Sequence, residues 1–76
     1  RLKAVYTQSG QLYILVNQPA DCRYSNELFD NFEDGTAMVK NSDYVHVLNI
    51  GSSSVFHIMC RDTRTNNLSP VYTVNV

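Results

Sequence analysis

Two cysteines are the residues of this sequence with the clearest potential for chemistry. Cys22 and Cys60 are the only cysteines in the 76-residue chain. Each lies in a segment that we predict to be a β-strand. An even number of cysteines in a short chain of extracellular type indicates a disulfide. Two separate buried thiols, or a reactive or metal-binding pair, are the alternatives that the residues themselves leave open.

Histidine and serine side chains give weaker signals. His46 and His57 fall in neighbouring predicted strands, but two histidines without a third ligand make a weak metal site, and we expect half-exposed side chains. The serines at 52–54 precede His57, yet adjacency along one strand does not assemble a nucleophile, a base and an oxyanion site. No G-x-S-x-G or phosphate-loop motif occurs. We therefore expect a protein that is not an enzyme and has no cofactor.

An acidic segment is the best candidate for calcium binding. FDNFEDG, residues 29–35, contains Asp30, Glu33 and Asp34 around one asparagine. Calcium prefers several oxygen ligands on a flexible loop, but this spacing does not match an EF-hand loop, whose acids alternate before the glycine. The segment is predicted to be a solvated acidic turn rather than a calcium site.

One sequon marks a candidate modification site. Asn67-Leu68-Ser69 fits the N-glycosylation pattern and lies in a predicted surface loop. Asn67 is therefore a candidate glycosylation site, although Pro70 directly after the sequon disfavours its use.

Short strands must position these residues. Apolar and polar residues alternate with a period of two, and turn signals interrupt the pattern every 8 to 12 residues or so. The predicted strands are 2–8, 11–18, 21–25, 36–40, 44–50, 54–62 and 71–76. This spacing predicts an all-β fold, an antiparallel two-sheet sandwich of about seven strands. Segment 26–35 is predicted to be a helical turn or loop whose Phe29 and Phe32 cap the core.

Alternation also predicts where the cysteines point. Phe56, Ile58 and Cys60 share one face of their strand, so Cys60 continues an inward-facing row. Cys22 shares a face with Tyr24 in the same way. A bridge between the cysteines would stabilise the fold by about 4 kcal/mol on the chain-entropy model. That is a large fraction of the stability of a small domain.

Size and charge limit the class of protein. The chain is expected to be one domain, residues 1–76, near the lower size limit for independent folding. No apolar run approaches the roughly 18 residues of a spanning helix, so we expect no membrane insertion. The net charge is −1 and the basic residues are scattered, which argues against a nucleic-acid partner. No signal peptide is visible, and a start at Arg1 is what a mature or excised segment would show.

Several short motifs follow one another in a recognisable order. CRYS at 22–25 precedes an aromatic loop, a strand with His46, a turn at Gly51 and a strand ending in CRD at 60–62. This order, over residues 12–76, resembles fibronectin type III-like domains of prokaryotic cell-surface and secreted proteins. The resemblance implies an immunoglobulin-like sandwich in which Cys22 opens the third strand and Cys60 closes the sixth, its neighbour in one sheet.

The leading functional hypothesis is a structural or adhesive module outside the cell or at its surface. It would be a repeat or subunit of a cell-surface protein, fibre or filament, with neighbouring copies or domains as partners. First and last strands at opposite ends of such a sandwich would suit head-to-tail strings. The apolar terminal strand could also add to a neighbour's sheet edge. Its candidate self-assembly residues are Val71, Tyr72, Thr73 and Val74.

The alternative hypothesis is an accessory carbohydrate- or protein-binding module of a secreted enzyme. Five tyrosines supply possible stacking faces: Tyr6, Tyr13, Tyr24, Tyr44 and Tyr72. Most tyrosines in a sandwich are instead half-buried at sheet edges with their hydroxyls in water. Exposed tyrosines with coplanar rings would favour the carbohydrate-binding hypothesis.

Overall fold

Two antiparallel β-sheets face each other in this protein. The structure is a computed structural model that describes residues 2–76; Arg1, where the predicted domain begins, lies outside the described residues. The strands are β1 (Leu2–Gln8), β2 (Gln11–Val16), β3 (Ala20–Ser25), β4 (Thr36–Ala37), β5 (Val39–Ser42), β6 (Val45–Asn49), β7 (Val55–Asp62) and β8 (Tyr72–Asn75). One 3₁₀ turn, Phe32–Asp34, lies between β3 and β4. The predicted all-β two-sheet sandwich is confirmed.

Each sheet has four strands. The first sheet has the order β1-β2-β6-β5 and the second has the order β4-β3-β7-β8. The predicted strand 36–40 is in fact two short strands, because the chain crosses between the sheets at the buried Met38. β4 pairs with β3, whereas β5 pairs with β6. The described chain therefore has eight strands rather than about seven.

The core lies between the sheets and follows the predicted alternation. From β2, Leu12, Ile14 and Val16 point inward, and from β7, Phe56, Ile58 and Cys60 do so. Leu12, Ile14 and Ile58 are fully buried. Burying a side chain of this size contributes about 1.5–3 kcal/mol. These two strands lie at the centre of their sheets, so their inward rows stabilise the sandwich most.

A second apolar cluster lies on the outer face of the second sheet. Phe29, Phe32 and Met59 are buried together there, with Val71 packed against them. Met59 alternates with the inward residues of β7 and therefore points outward. The prediction that Phe29 and Phe32 cap the core was wrong, because they cover the back of the second sheet instead.

The two long sides of the sandwich differ. β4 and β5 are joined through Met38 alone, so these two edge strands lie over each other on one side. β1 and β8 form the other side, where the backbone N–H of Leu2 lies 3.4 Å from the hydroxyl of Tyr72. The first and last strands therefore lie along the same side of the sandwich, not at opposite ends as predicted.

The two ends of the described chain are nevertheless far apart. Leu2 is paired with Val16 at one end of the sandwich. Val76 donates its N–H to the carbonyl of Ser54, close to the turn at Ile50 that contacts the β1–β2 hairpin. Leu2 and Val76 therefore leave the sandwich at opposite ends.

The turn of the β1–β2 hairpin fixes its register as far as Ala4, and the pairing shifts between Ala4 and Leu2. Ser9 and Gly10 form its two-residue loop with φ values of 53° and 77°. Positive φ at both positions is the requirement of a type I′ turn, which matches the twist of the flanking strands. Gln8 is consequently opposite Gln11, and Tyr6 is opposite Tyr13.

Among the described residues, no helix is long and apolar enough to cross a membrane.

Candidate functional site

The predicted disulfide is present and joins neighbouring strands of one sheet. Cys22 on β3 lies directly opposite Cys60 on β7, with an S–S distance of 2.06 Å and a Cα–Cα distance of 4.0 Å. The backbone carbonyl of Cys22 accepts from the N–H of Met38, away from β7. The backbone N–H and carbonyl of Cys60 both bond to Ser69, away from β3. The cysteines are therefore a non-hydrogen-bonded pair, the type that brings side chains closest in an antiparallel sheet. The resemblance implied neighbouring strands of one sheet, as found, but Cys60 lies within the seventh strand rather than closing the sixth, and Cys22 lies within the third rather than opening it.

The bridge points into the core between the sheets. Cys22 is 3% exposed and Cys60 is 5% exposed. No free cysteine exists among residues 2–76. The alternatives of two separate thiols and of a reactive pair are therefore wrong. A buried disulfide indicates that the protein folds and persists in an oxidising environment.

A phenylalanine between two arginines holds the 26–35 loop against the second sheet. The guanidinium carbons of Arg23 and Arg61 lie 4.8 and 4.7 Å from the ring centroid of Phe32. Both arginines point outward from neighbouring strands, and Glu33 lies 3.9 and 3.8 Å from them. Cation–π contacts of this kind contribute about 0.5–1 kcal/mol each at exposed sites. We name the three side chains Arg23, Phe32 and Arg61 the Arg–Phe–Arg stack.

The loop packs closely against β3 at Gly35. A Cβ atom at Gly35 would lie 2.8 Å from the Cβ of Arg23 and 2.9 Å from Cε2 of Phe29, so only glycine fits there. The Asn31 side chain accepts a hydrogen bond from the N–H of Glu33 and caps the 3₁₀ turn. Sequence reasoning found the aromatic residues of this loop but missed the arginines, whose role depends on the register of β3 and β7.

The acidic segment and the two histidines do not come together as ligands. Glu33 faces the arginines, and the Asn31 amide oxygen faces backbone. His46 points into the core from the first sheet, whereas His57 lies on the outer face of the second, with Nδ1 3.0 Å from the Thr73 hydroxyl oxygen. Within residues 2–76, no group of three or more His, Cys, Asp or Glu side chains could hold a metal ion.

His46 departs most clearly from the sequence prediction. It is opposite Ile14 and only 1% exposed, whereas a half-exposed side chain was predicted. Neither ring nitrogen has a hydrogen-bond partner among the described residues. Burial lowers the pKa of His46; the Lys40 ammonium acts in the same direction, while Asp43 and Asp21 oppose the shift.

This histidine is expected to make stability depend on pH. Its pKa in the folded state lies below the unfolded value of about 6.5, so the unfolded state binds more protons below that pH. Stability should therefore be fully present above pH of about 6.5 and should fall on acidification, by at most about 1.4 kcal/mol per pH unit. Urea unfolding from neutral to mildly acidic pH measures the slope. His46→Leu should flatten it and His57→Gln should not; an unchanged slope in His46→Leu would contradict the assignment.

Asn67 lies on the rim of a cleft at the end of the sandwich. The cleft has a volume of about 500 Å³, with Val16, Ala20 and Tyr72 among its apolar lining and Asp62 on its rim. Asn67 is exposed, and its backbone carbonyl accepts a hydrogen bond from the backbone N–H of Asp62. The loop that presents Asn67 is therefore anchored to β7, and glycosylation at this residue stays a prediction.

Three of the five tyrosines pack against another aromatic ring. The rings of Tyr6 and Tyr13 are stacked on each other, with centroids 4.9 Å apart and planes 2° apart. Each ring therefore covers one face of the other. Tyr24 instead packs edge-on against Phe56 in the core. These three rings therefore do not present the coplanar exposed faces that would favour carbohydrate stacking.

The predicted self-assembly residues lie at or near an open edge. β8 is the outer strand of the second sheet, and Tyr72 and Val74 pair with Ile58 and Phe56 of β7. Val76 donates its N–H to Ser54, the residue before β7, and hydrogen-bonding sides alternate along a strand. The N–H of Thr73, three residues back, therefore points to the free edge. Val71 packs on the second apolar cluster instead.

Comparisons of the chain with protein-family models, curated proteins and solved structures found no match.

Proposed function

We propose that this chain is a non-catalytic structural or adhesive module of an extracellular assembly, of the fibronectin type III-like or immunoglobulin-like type. The strand order supports the type. A four-stranded sheet of strands one, two, six and five facing a sheet centred on strands three and seven follows the immunoglobulin pattern of ABED facing CFG, with β4 added beside β3. The disulfide differs from that of antibody domains, since it joins two strands of one sheet rather than two sheets.

The observation that carries the proposal is the buried bridge in so small a core. A 76-residue chain has a thin margin of stability, and a cross-link across 38 positions constrains its unfolded state. Such reinforcement is typical of small domains that must persist in oxidising surroundings outside the cell.

The placement of the chain ends supports a repeat or subunit of a surface protein or filament. Leu2 and Val76 leave the sandwich at opposite ends, which suits modules joined in a row. Neighbouring copies or domains are then the partners. The open edge of β8 offers unpaired backbone groups to a neighbouring strand.

The proposal is tested by locating the domain on intact source cells. Antibodies raised against the folded, oxidised domain should label unpermeabilised cells at the surface or along filaments. The control is the same antibody preincubated with excess domain. Labelling that appears only after permeabilisation would contradict an extracellular role.

A further inference from the structure

We propose that β1 is a self-pairing edge through which two copies of this chain join their first sheets in an antiparallel, two-fold arrangement centred on Tyr6. The inference rests on the proposed structural role, because it names the partner and the contact. In it, Tyr6 lies opposite Tyr6 of the second copy, and Val5 lies opposite Thr7 of that copy.

The open side of the sandwich contrasts with a protected side. On the protected side, β4 has only two residues and β5 contains a register shift between Lys40 and Ser42. Lys40 lies opposite the inward-pointing His46 and is bound by Asp21 and Asp43 at 3.0 and 3.3 Å. Short strands, bulges and inward charges are the devices that block edge pairing. β1 has seven residues and is the longest exposed edge of the described chain; its own register shift lies between Leu2 and Ala4, so the stretch from Ala4 to Gln8 is regular.

The backbone of β1 presents its hydrogen-bonding groups at the correct positions. The backbone carbonyl of Gly10 accepts from the N–H of Ile50, and the N–H of Val16 donates to the carbonyl of Tyr44. The backbone groups of even-numbered residues in β2 therefore point towards β6. The backbone groups of Tyr13, an odd-numbered residue, point towards β1 instead. Tyr6 and Tyr13 are therefore a hydrogen-bonded pair. Hydrogen-bonding sides alternate along a strand, so the N–H and C=O groups of Val5 and Thr7 point to the open edge.

These groups match a second copy in one particular register. With Tyr6 on the two-fold axis, Val5 of each copy exchanges both backbone hydrogen bonds with Thr7 of the other. Tyr6 then faces Tyr6 as a non-hydrogen-bonded pair, whose side chains approach most closely. The free ring faces would meet, extending the stack to Tyr13, Tyr6, Tyr6 and Tyr13 across both copies.

Charge and exposure favour the same partner. Tyr6 is 44% exposed and Val5 is 37% exposed, so pairing removes apolar surface from water. Residues 4–10 carry no charge, and the antiparallel register places Lys3 near the β1–β2 turn of the second copy, away from that copy's Lys3. Like charges opposite each other would destabilise the pair. A two-fold contact of this kind is self-complementary, which is the commonest interface in homodimers.

Sedimentation velocity of the intact, oxidised chain tests the pairing. The wild-type chain should form dimers that dissociate on roughly hundredfold dilution, with a melting temperature that falls in parallel. Thr7→Pro removes an N–H that bonds nothing within the domain and should abolish the dimer; Thr7→Ala, which keeps the N–H, should not. Thr73→Pro makes the same change at the open edge of β8 and should leave the dimer intact.

A cysteine scan tests the register and does not depend on tolerance of proline. Tyr6→Cys should give a disulfide-linked dimer on mild oxidation, because its two copies face each other. Gln8→Cys, which lies opposite Ala4 of the second copy, should remain monomeric on non-reducing gels. Three results would each overturn the β1 contact. They are equal cross-linking of Tyr6→Cys and Gln8→Cys, a wild-type chain that is monomeric at every concentration, and loss of the dimer in Thr73→Pro but not in Thr7→Pro. None of these results bears on surface labelling, so failure of the contact is distinguishable from failure of the proposed function.

Discussion

Replacing both cysteines by alanine should lower the free energy of unfolding by about 4 kcal/mol. The bridge spans 38 positions, and without it the unfolded chain regains the conformations that the closed loop forbids. The double substitution also removes two buried sulfur atoms from the core between the sheets. A domain of this size rarely has more than about 3–5 kcal/mol from its core, so we expect the variant to be largely unfolded at physiological temperature.

Thermal and urea unfolding followed by circular dichroism measure this effect. The matched control is the unsubstituted protein in excess reductant, which lacks the bridge but keeps both sulfur atoms; it should unfold well below the oxidised protein in urea and somewhat above Cys22→Ala/Cys60→Ala. Intact mass with and without reductant should differ by two hydrogen atoms in the wild type and not in the variant. A variant that melts within a few degrees of the oxidised wild type would show that the bridge contributes little.

Phe32→Ala should destabilise the protein by about 3 kcal/mol, the lower end of the range for buried phenylalanine. Phe32 is 3% exposed and lies between two guanidinium groups, above Met59. Its removal leaves a cavity and deprives both arginines of the ring. The lower end of the range applies because the 26–35 loop can partly collapse into the space.

The expected signature is local as well as global. Limited proteolysis should cut Phe32→Ala within 26–35, where the wild type resists, and its urea midpoint should fall. Phe32→Leu keeps most of the buried volume without the aromatic face, so it should lie between the two proteins. Glu33→Gln, an exposed change in the same turn, should behave as wild type, since exposed ion pairs contribute little. A wild-type digestion pattern in Phe32→Ala would contradict docking by the Arg–Phe–Arg stack.

Alternation along β2 and β7 explains why the fold class was predictable. Leu12, Ile14 and Val16 repeat every second residue, as do Phe56, Ile58 and Cys60, and this period is the direct consequence of strand geometry. The same parity placed Cys60 in the core. Its pairing with Cys22 followed because no other cysteine competes.

Other features depend on contacts between distant strands. His46 looked like a half-exposed strand residue, yet the register of β2 and β6 places it opposite Ile14 in the core. The separation of 36–40 into two strands reflects a crossing at Met38 that no local pattern marks. The Arg–Phe–Arg stack joins residues from β3, β7 and the intervening loop, so it appears only once β3 and β7 are paired.

The position of the disulfide has a mechanical consequence. Tension applied at Leu2 and Val76 would run along the strands and shear β1 and β8 from their sheets, but it could not lengthen the covalent loop between Cys22 and Cys60. That loop withholds about 130 Å of contour length, at the reach of a fully extended chain. Under load, only the residues outside the loop could extend, so the extension of this domain would have a fixed upper limit.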